Sequence, residues 1–236
     1  MTFGVSTACL YPDATEDALL SLAKLGVKET EIFFNAESEL SGALLKKLLG
    51  IKNEYGVKVS AVHPFTSGFE PFLLFSRYER RFSDALELYK KYAAAAAALG
   101  ASYIVIHGDG EKGLLSDDEY FGRFRTLRES CKAYGAEPIQ ENVNLFRASS
   151  PAFLLDMKAA LGEDIGFALD IKQCVRSGRG PFEVAKAMSG HIRHVHVSDH
   201  TGAQSCLLPG RGGFDFARLF AFLKAEGYSG SVLIEV

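Results

Sequence analysis

Short, uninterrupted apolar runs, each ending on a polar or ionisable residue, recur from one end of this chain to the other. Tyr103-Ile104-Val105-Ile106 before His107 is the clearest of them. A run that is apolar on every residue fits a parallel strand covered on both faces, since a half-exposed strand would alternate. The pattern predicts strands over Phe3–Ala8, Glu29–Phe34, Lys58–His63, Tyr103–His107, Pro138–Asn142, Gly166–Asp170, Ile192–Val197 and Ser231–Glu235. Amphipathic stretches separate them: Thr15–Leu25, Glu39–Tyr55, Tyr78–Leu99, Asp117–Tyr134, Pro151–Leu161, Pro181–Met188 and Phe214–Glu226.

Helix punctuation supports these boundaries. Gly26, Gly56, Gly100, Gly135, Gly162 and Gly227 follow the helical stretches, where a left-handed residue closes the last turn. Pro151 and Pro181 stand where a helix can begin. Eight strands alternating with seven helices at intervals of roughly 30 residues predict an α/β fold, a (β/α)8 barrel, better than an open doubly wound sheet. The absence of a linker predicts one barrel domain over residues 1–236. The eighth strand ends at the last residues, so the barrel is expected to lack its eighth helix. A partner subunit covering that flank makes a homodimer attractive.

Composition excludes several roles. A net charge of -3 and a pI near 6.1 leave no basic footprint for nucleic acid. No apolar run approaches the ~20 residues of a membrane span. Cys9, Cys131, Cys174 and Cys206 form no Cys-x-x-Cys pair, so a reduced, cytoplasmic protein is expected, and Cys9 and Cys174 are read as small buried thiols.

In a barrel, residues at the carboxyl ends of the strands converge on one mouth. Those ends supply His63, His107, Glu141, Asp170, His196, Asp199 and Glu235. An ionisable group after two or three aliphatic residues is costly to bury unless it is paired or metal-bound. Three carboxylates and a histidine at the ends of strands five to eight need a cation to offset their mutual repulsion. Hard oxygen donors with one imidazole suit one divalent ion: Mn, Co, Mg or Zn.

At these residues the chain resembles the xylose isomerase-like TIM barrel superfamily, which holds sugar isomerases and epimerases and the endonuclease IV type of repair enzyme. The resemblance spans the whole chain. It is carried by Glu141-Asn142, Ala168-Leu169-Asp170, His194-Val195-His196-Val197-Ser198-Asp199, Leu208-Pro209-Gly210-Arg211-Gly212 and Ile234-Glu235, in that order and spacing. It implies Glu141, Asp170, His196 and Glu235 as metal ligands. It also implies Glu141 and Glu235 as the base and acid that move a proton at a sugar carbon through an enediolate. His63 and His107 are then expected to face substrate hydroxyls or, as in the endonuclease branch, further metal. His194, with the same strand parity as His196, is expected deeper in the barrel as a structural residue.

Two departures stand out. Relatives carry a histidine three residues after the strand-six aspartate, where this chain has Gln173, which hydrogen-bonds but cannot carry a proton. That weakens the case for a trinuclear endonuclease site. Arg211 stands where relatives often have an acidic residue and suits a phosphate or carboxylate on the substrate, with Arg176 and Arg179 after strand six as helpers. The expected function is a divalent-metal-dependent isomerase or epimerase of a sugar or sugar derivative, hence a small-molecule partner. The alternatives are an endonuclease IV-like phosphodiesterase, a polyol or keto-inositol dehydratase, and a barrel that keeps its ligand without turnover.

Overall fold

The computed structural model describes residues Met1–Val236. Its centre is a closed barrel of eight strands in sequence order: β1 (Thr2–Ser6), β2 (Glu29–Phe33), β3 (Lys58–His63), β4 (Tyr103–Ile106), β5 (Glu137–Glu141), β6 (Phe167–Asp170), β7 (Ile192–Val197) and β8 (Ser231–Ile234). Every neighbouring pair is parallel, and closure comes from Thr2 to Val5 pairing with Ser231 to Ile234. Around it run α1 (Thr15–Lys24), α2 (Gly42–Tyr55), α3 (Glu79–Leu99), α4 (Asp117–Lys132), α5 (Pro151–Leu161), α6 (Ile171–Arg176), α7 (Pro181–Ala187) and α8 (Phe216–Ala225). No helix follows β8 before Val236.

Local chemistry explains where the helices start and stop. Ser116 and Glu119 form a reciprocal capping box at the start of α4. Gly56 and Gly100 close α2 and α3 with φ of 64° and 76°, a left-handed conformation that costs glycine nothing. The helix expected from Glu39 begins instead at Gly42, because Ser41 accepts the Leu44 N–H as its N-cap and residues Glu37–Leu40 form a separate 3-10 turn.

One correction bears on the site. Residues 171–176 fold as a helix and not as part of a loop. Oδ1 of Asp170 accepts the backbone N–H of Gln173, so the last strand residue is also the N-cap of α6. Six residues are too few for an apolar period to show.

Strand alternation sorts the core into two parts. Outward-facing residues join the helices in one large cluster of 47 buried residues. Inward-facing Ala61, Val105, Ile139 and Ala168 form a small plug inside the barrel. Two residues further along each strand stand His63, His107, Glu141 and Asp170. The strand pleat therefore converts four apolar plug residues into four polar residues one layer nearer the mouth. On β7 the same step leads from His194 to His196, and on β8 from Leu233 to Glu235.

Candidate active site

The plug layer sets the height of the site and the mouth layer supplies its chemistry. Glu141, Asp170 and His196 are 1%, 1% and 0% exposed, and Glu235 is 8% exposed. His196 Nδ1 lies 3.2 Å from Oε1 of Glu141, 3.2 Å from Oε2 of Glu235 and 3.9 Å from Oδ2 of Asp170. All four side chains can each present one ligand atom within 4.8 Å of the others. Four strands thus bring the four expected residues to one point. Glu141 Oε2 and Asp170 Oδ2 are fully buried without a well-aligned hydrogen-bond donor. Buried carboxylate oxygens are rarely left so, and a cation between them is the usual remedy. The donor set therefore fits one divalent ion.

The electrostatics of the cluster divide its carboxylates. Burial, reinforced by Glu141 and Glu235 and opposed by Lys172, pushes the Asp170 carboxyl up to about 8. Burial works against the charged form of Glu141 too, but the imidazoles of His107, His196 and His63 outweigh it and hold that carboxyl well below its usual range. Glu235 is likewise held low against burial, by His196 and Lys172. His196 is driven well above its ordinary value because Glu31 and Glu235 outweigh its desolvation.

His63 and His107 sit on the Glu141 side. His107 Nε2 lies 3.1 Å from Oε2 of Glu141 and 3.1 Å from Nε2 of His63, whose own distance to Glu141 is 3.9 Å. With Glu141 they form a second group whose ligand atoms lie within 4.8 Å of each other. The His107 side chain keeps 20% exposure and reaches the mouth, whereas His63 keeps 3%. Glu70 braces this corner from the loop after β3: Oε2 accepts the Gly108 N–H at 2.5 Å and Oε1 accepts the Tyr89 hydroxyl at 2.6 Å. Gly108 has a φ of 90°, so the turn out of β4 that allows this contact is built for glycine.

Other expectations resolve less evenly. Gln173 is half-buried, and its Oε1 accepts the Asn144 N–H, tying α6 to the loop after β5. Arg211 is exposed, with no side-chain hydrogen bond or ion pair, and the structure does not bring it to the carboxylates. Asp199 is buried but belongs to the loop after β7, where it accepts the N–H groups of His200, Gly210, Gly212 and Phe214. Cys174 is buried as expected, and Cys9 is half-buried with its thiol on the Ile234 carbonyl.

Two residues escaped sequence reasoning. Lys172, one residue into α6 beyond Asp170-Ile171, places Nζ 3.2 Å from Oε2 of Glu235 and 3.7 Å from Oδ2 of Asp170. Glu31 on β2 is 0% exposed and lies 3.1 Å from Nε2 of His196 and 3.2 Å from Nε2 of His194. His194 thus takes the deep position expected of it, close to Glu31 but poorly aligned for a hydrogen bond. A signal for Glu31 existed: Glu29-Thr30-Glu31-Ile32-Phe33 carries two carboxylates of one parity in a strand otherwise fit for burial.

The fold has known relatives. The family model described as xylose isomerase-like TIM barrel matches residues 19–236. An uncharacterised protein of Methanocaldococcus jannaschii is 26% identical over 249 residues, covering 100% of this chain and 83% of its own length. An uncharacterised protein of Mycobacterium leprae is 25% identical over 255 residues, covering 99% and 88%. Among solved structures, a D-tagatose 3-epimerase-like protein superposes with a TM-score of 0.83 at 25% identity, over 100% of this chain and 90% of that one. The D-allulose 3-epimerase of Methylomonas sp. in complex with D-allulose gives 0.79 at 18% identity, over 100% and 83%, a likeness of fold. With the family model spanning all but the first 18 residues, the chain belongs to the xylose isomerase-like TIM barrel family.

Proposed function

We propose that this protein is a divalent-metal-dependent epimerase or isomerase acting on a sugar or sugar derivative. The observation that carries the reading is the convergence of Glu141, Asp170, Glu235 and Nδ1 of His196, with two buried carboxylate oxygens that lack a well-aligned donor. These four residues would hold one ion, Mn, Co, Mg or Zn, which when bound polarises a substrate carbonyl and favours negative charge on its oxygen. The sugar epimerase neighbours point to the same substrate class.

The chain's own residues move the proton. Glu141 and Glu235 stand on β5 and at the end of β8, on two sides of His196 Nδ1. One carboxylate takes the proton from the carbon beside the carbonyl, and the C–H electron pair passes into an enediolate. The other glutamate, protonated in turn from water, returns that proton to the opposite face, which inverts the centre, or to the neighbouring carbon, which isomerises the sugar. His107 faces the mouth and is placed to bond a substrate hydroxyl, with His63 behind it. Gln173, tied to Asn144, and solvent-exposed Arg211 belong to the outer part of this substrate region. Cytoplasmic residence and a homodimer belong to the same proposal; four unpaired cysteines support the first, and Phe3, 59% exposed on β1 beside β8, supports the second.

The test is solvent exchange. With Mn²⁺ and a panel of ketoses in D₂O, the protein should place deuterium at one carbon, and Glu141→Gln and Glu235→Gln should each abolish this. Exchange that survives both substitutions sinks the mechanism. Loss of water from a polyol or keto-inositol would redirect it to a dehydratase. Tight, salt-dependent DNA binding would favour the endonuclease alternative instead.

A further inference from the structure

We propose that Glu31 is a positioning residue that fixes the ring of His196, so that Nδ1 and not Nε2 faces the carboxylate cluster. This rests on the metal-site reading above and names the group that orients one of its ligands. Glu31 lies on β2, across the barrel from β6, and none of its surface reaches solvent. Its Oε2 meets Nε2 of His196 at 3.1 Å, and its Oε1 accepts the Ser6 hydroxyl at 3.1 Å. An ionised carboxylate only accepts hydrogen bonds, so the imidazole nitrogen it meets must carry the hydrogen. The lone pair of neutral His196 then resides on Nδ1, the nitrogen that faces Glu141, Asp170 and Glu235.

Packing reinforces this choice. His194, one pleat deeper on β7, sets its ring edge-on to His196 at 4.8 Å between centroids and 88° between planes. Its Nε2 approaches the same Oε2 of Glu31 at 3.2 Å, so the carboxylate holds one wall of the ring's cage. Ser6 in turn stops the carboxylate from rotating. A ligand histidine whose second nitrogen is held by a carboxylate is pre-aimed, and losing such a partner typically weakens metal binding ~10–100-fold.

The experiment uses the full chain with ¹⁵N-labelled histidine rings, together with Mn²⁺ titration calorimetry. Nitrogen–proton spectra should show His196 Nε2 protonated both without metal and with Zn²⁺. Glu31→Gln should weaken Mn²⁺ binding ~10–100-fold, and Glu31→Asp should recover part of the loss, with both variants melting cooperatively. An unprotonated Nε2 on His196, or wild-type Mn²⁺ affinity in Glu31→Gln, overturns the proposal. So does a second wild-type metal ion that Glu31→Gln removes one for one, because Glu31, His194 and His196 would then be ligands themselves. If the wild type binds no metal, yet neutral His196 carries its hydrogen on Nε2 and loses that preference in Glu31→Gln, the positioning role of Glu31 stands and the metal-site reading fails.

Discussion

Lys172 points its ammonium at Oε2 of Glu235 from 3.2 Å, the same carboxylate oxygen that faces His196 Nδ1. The Lys172 side chain is 12% exposed, and the neighbouring carboxylates hold it firmly charged against burial. It is the only lysine or arginine paired with the cluster, where it shares Asp170 and Glu235 with the His196 imidazole. Like charges repel, and a divalent ion must share Glu235 and Asp170 with this ammonium. Lys172→Met should therefore bind Mn²⁺ about tenfold more tightly, a shift of roughly 1.4 kcal/mol. The metal-free variant should melt at a lower temperature, because Asp170 and Glu235 lose their countercharge. Weaker Mn²⁺ binding in the variant would contradict this account.

Metal stoichiometry separates one ion from two. The group of Glu141, Asp170, His196 and Glu235 predicts one ion per chain by elemental mass spectrometry, lost on Glu141→Ala with Asp170→Ala. Since His63, His107 and Glu141 form an adjoining group, His107→Ala should leave a one-ion content unchanged. Two ions in the wild type, with one lost in His107→Ala, would assign these histidines as ligands.

Glu70 predicts a pH dependence of stability. Burial, only partly offset by the Tyr89 and Gly108 hydrogen bonds, raises its carboxyl from 4.5 to about 8. The folded state binds this proton more tightly than the unfolded chain, so the stabilisation is full below about 4.5. It declines as pH rises and is lost by pH 8 and above. Over that window the loss is on the order of a few kcal/mol. Glu70→Gln, which keeps the shape without the charge, should flatten the decline in denaturant melts between pH 5 and 9 and be the more stable form at the alkaline end. An unchanged slope would show that Glu70 does not carry it.

Asp199 supplies a loop prediction. Its two oxygens accept four backbone N–H groups and fold the segment between β7 and α8 back on itself. The backbone at Gly212 passes so close to Asp199 that a Cβ there would lie 2.3 Å from the His200 carbonyl oxygen. Asp199→Ala should cost about 3 kcal/mol, as several charge-assisted bonds are lost together. If the loop borders the substrate, KM for an accepted sugar should rise more than kcat falls. Thermal melting and steady-state kinetics on the same variant check both parts.

The barrel and the main cluster were legible in the sequence, and the reason is the strand pleat. A parallel strand buried on both faces writes its position as an apolar run, and its last inward residue stands out when it is charged. Glu141, Asp170, His196 and Glu235 were legible on those grounds, and so was the deep place of His194. Tertiary structure alone decided how far each neighbour participates. Glu31 lies two residues before the end of its strand, and barrel closure, not local sequence, carries it under His196. Lys172 enters the cluster because Asp170 caps a helix too short to announce itself, which turns the next residues back toward the mouth. Asp199 fits the same strand-end reading and Arg211 the expectation of a substrate anion, yet one is consumed by backbone amides and the other faces solvent. A local pattern records which residues can be buried; which buried groups meet is a matter of long-range contacts that no local pattern records.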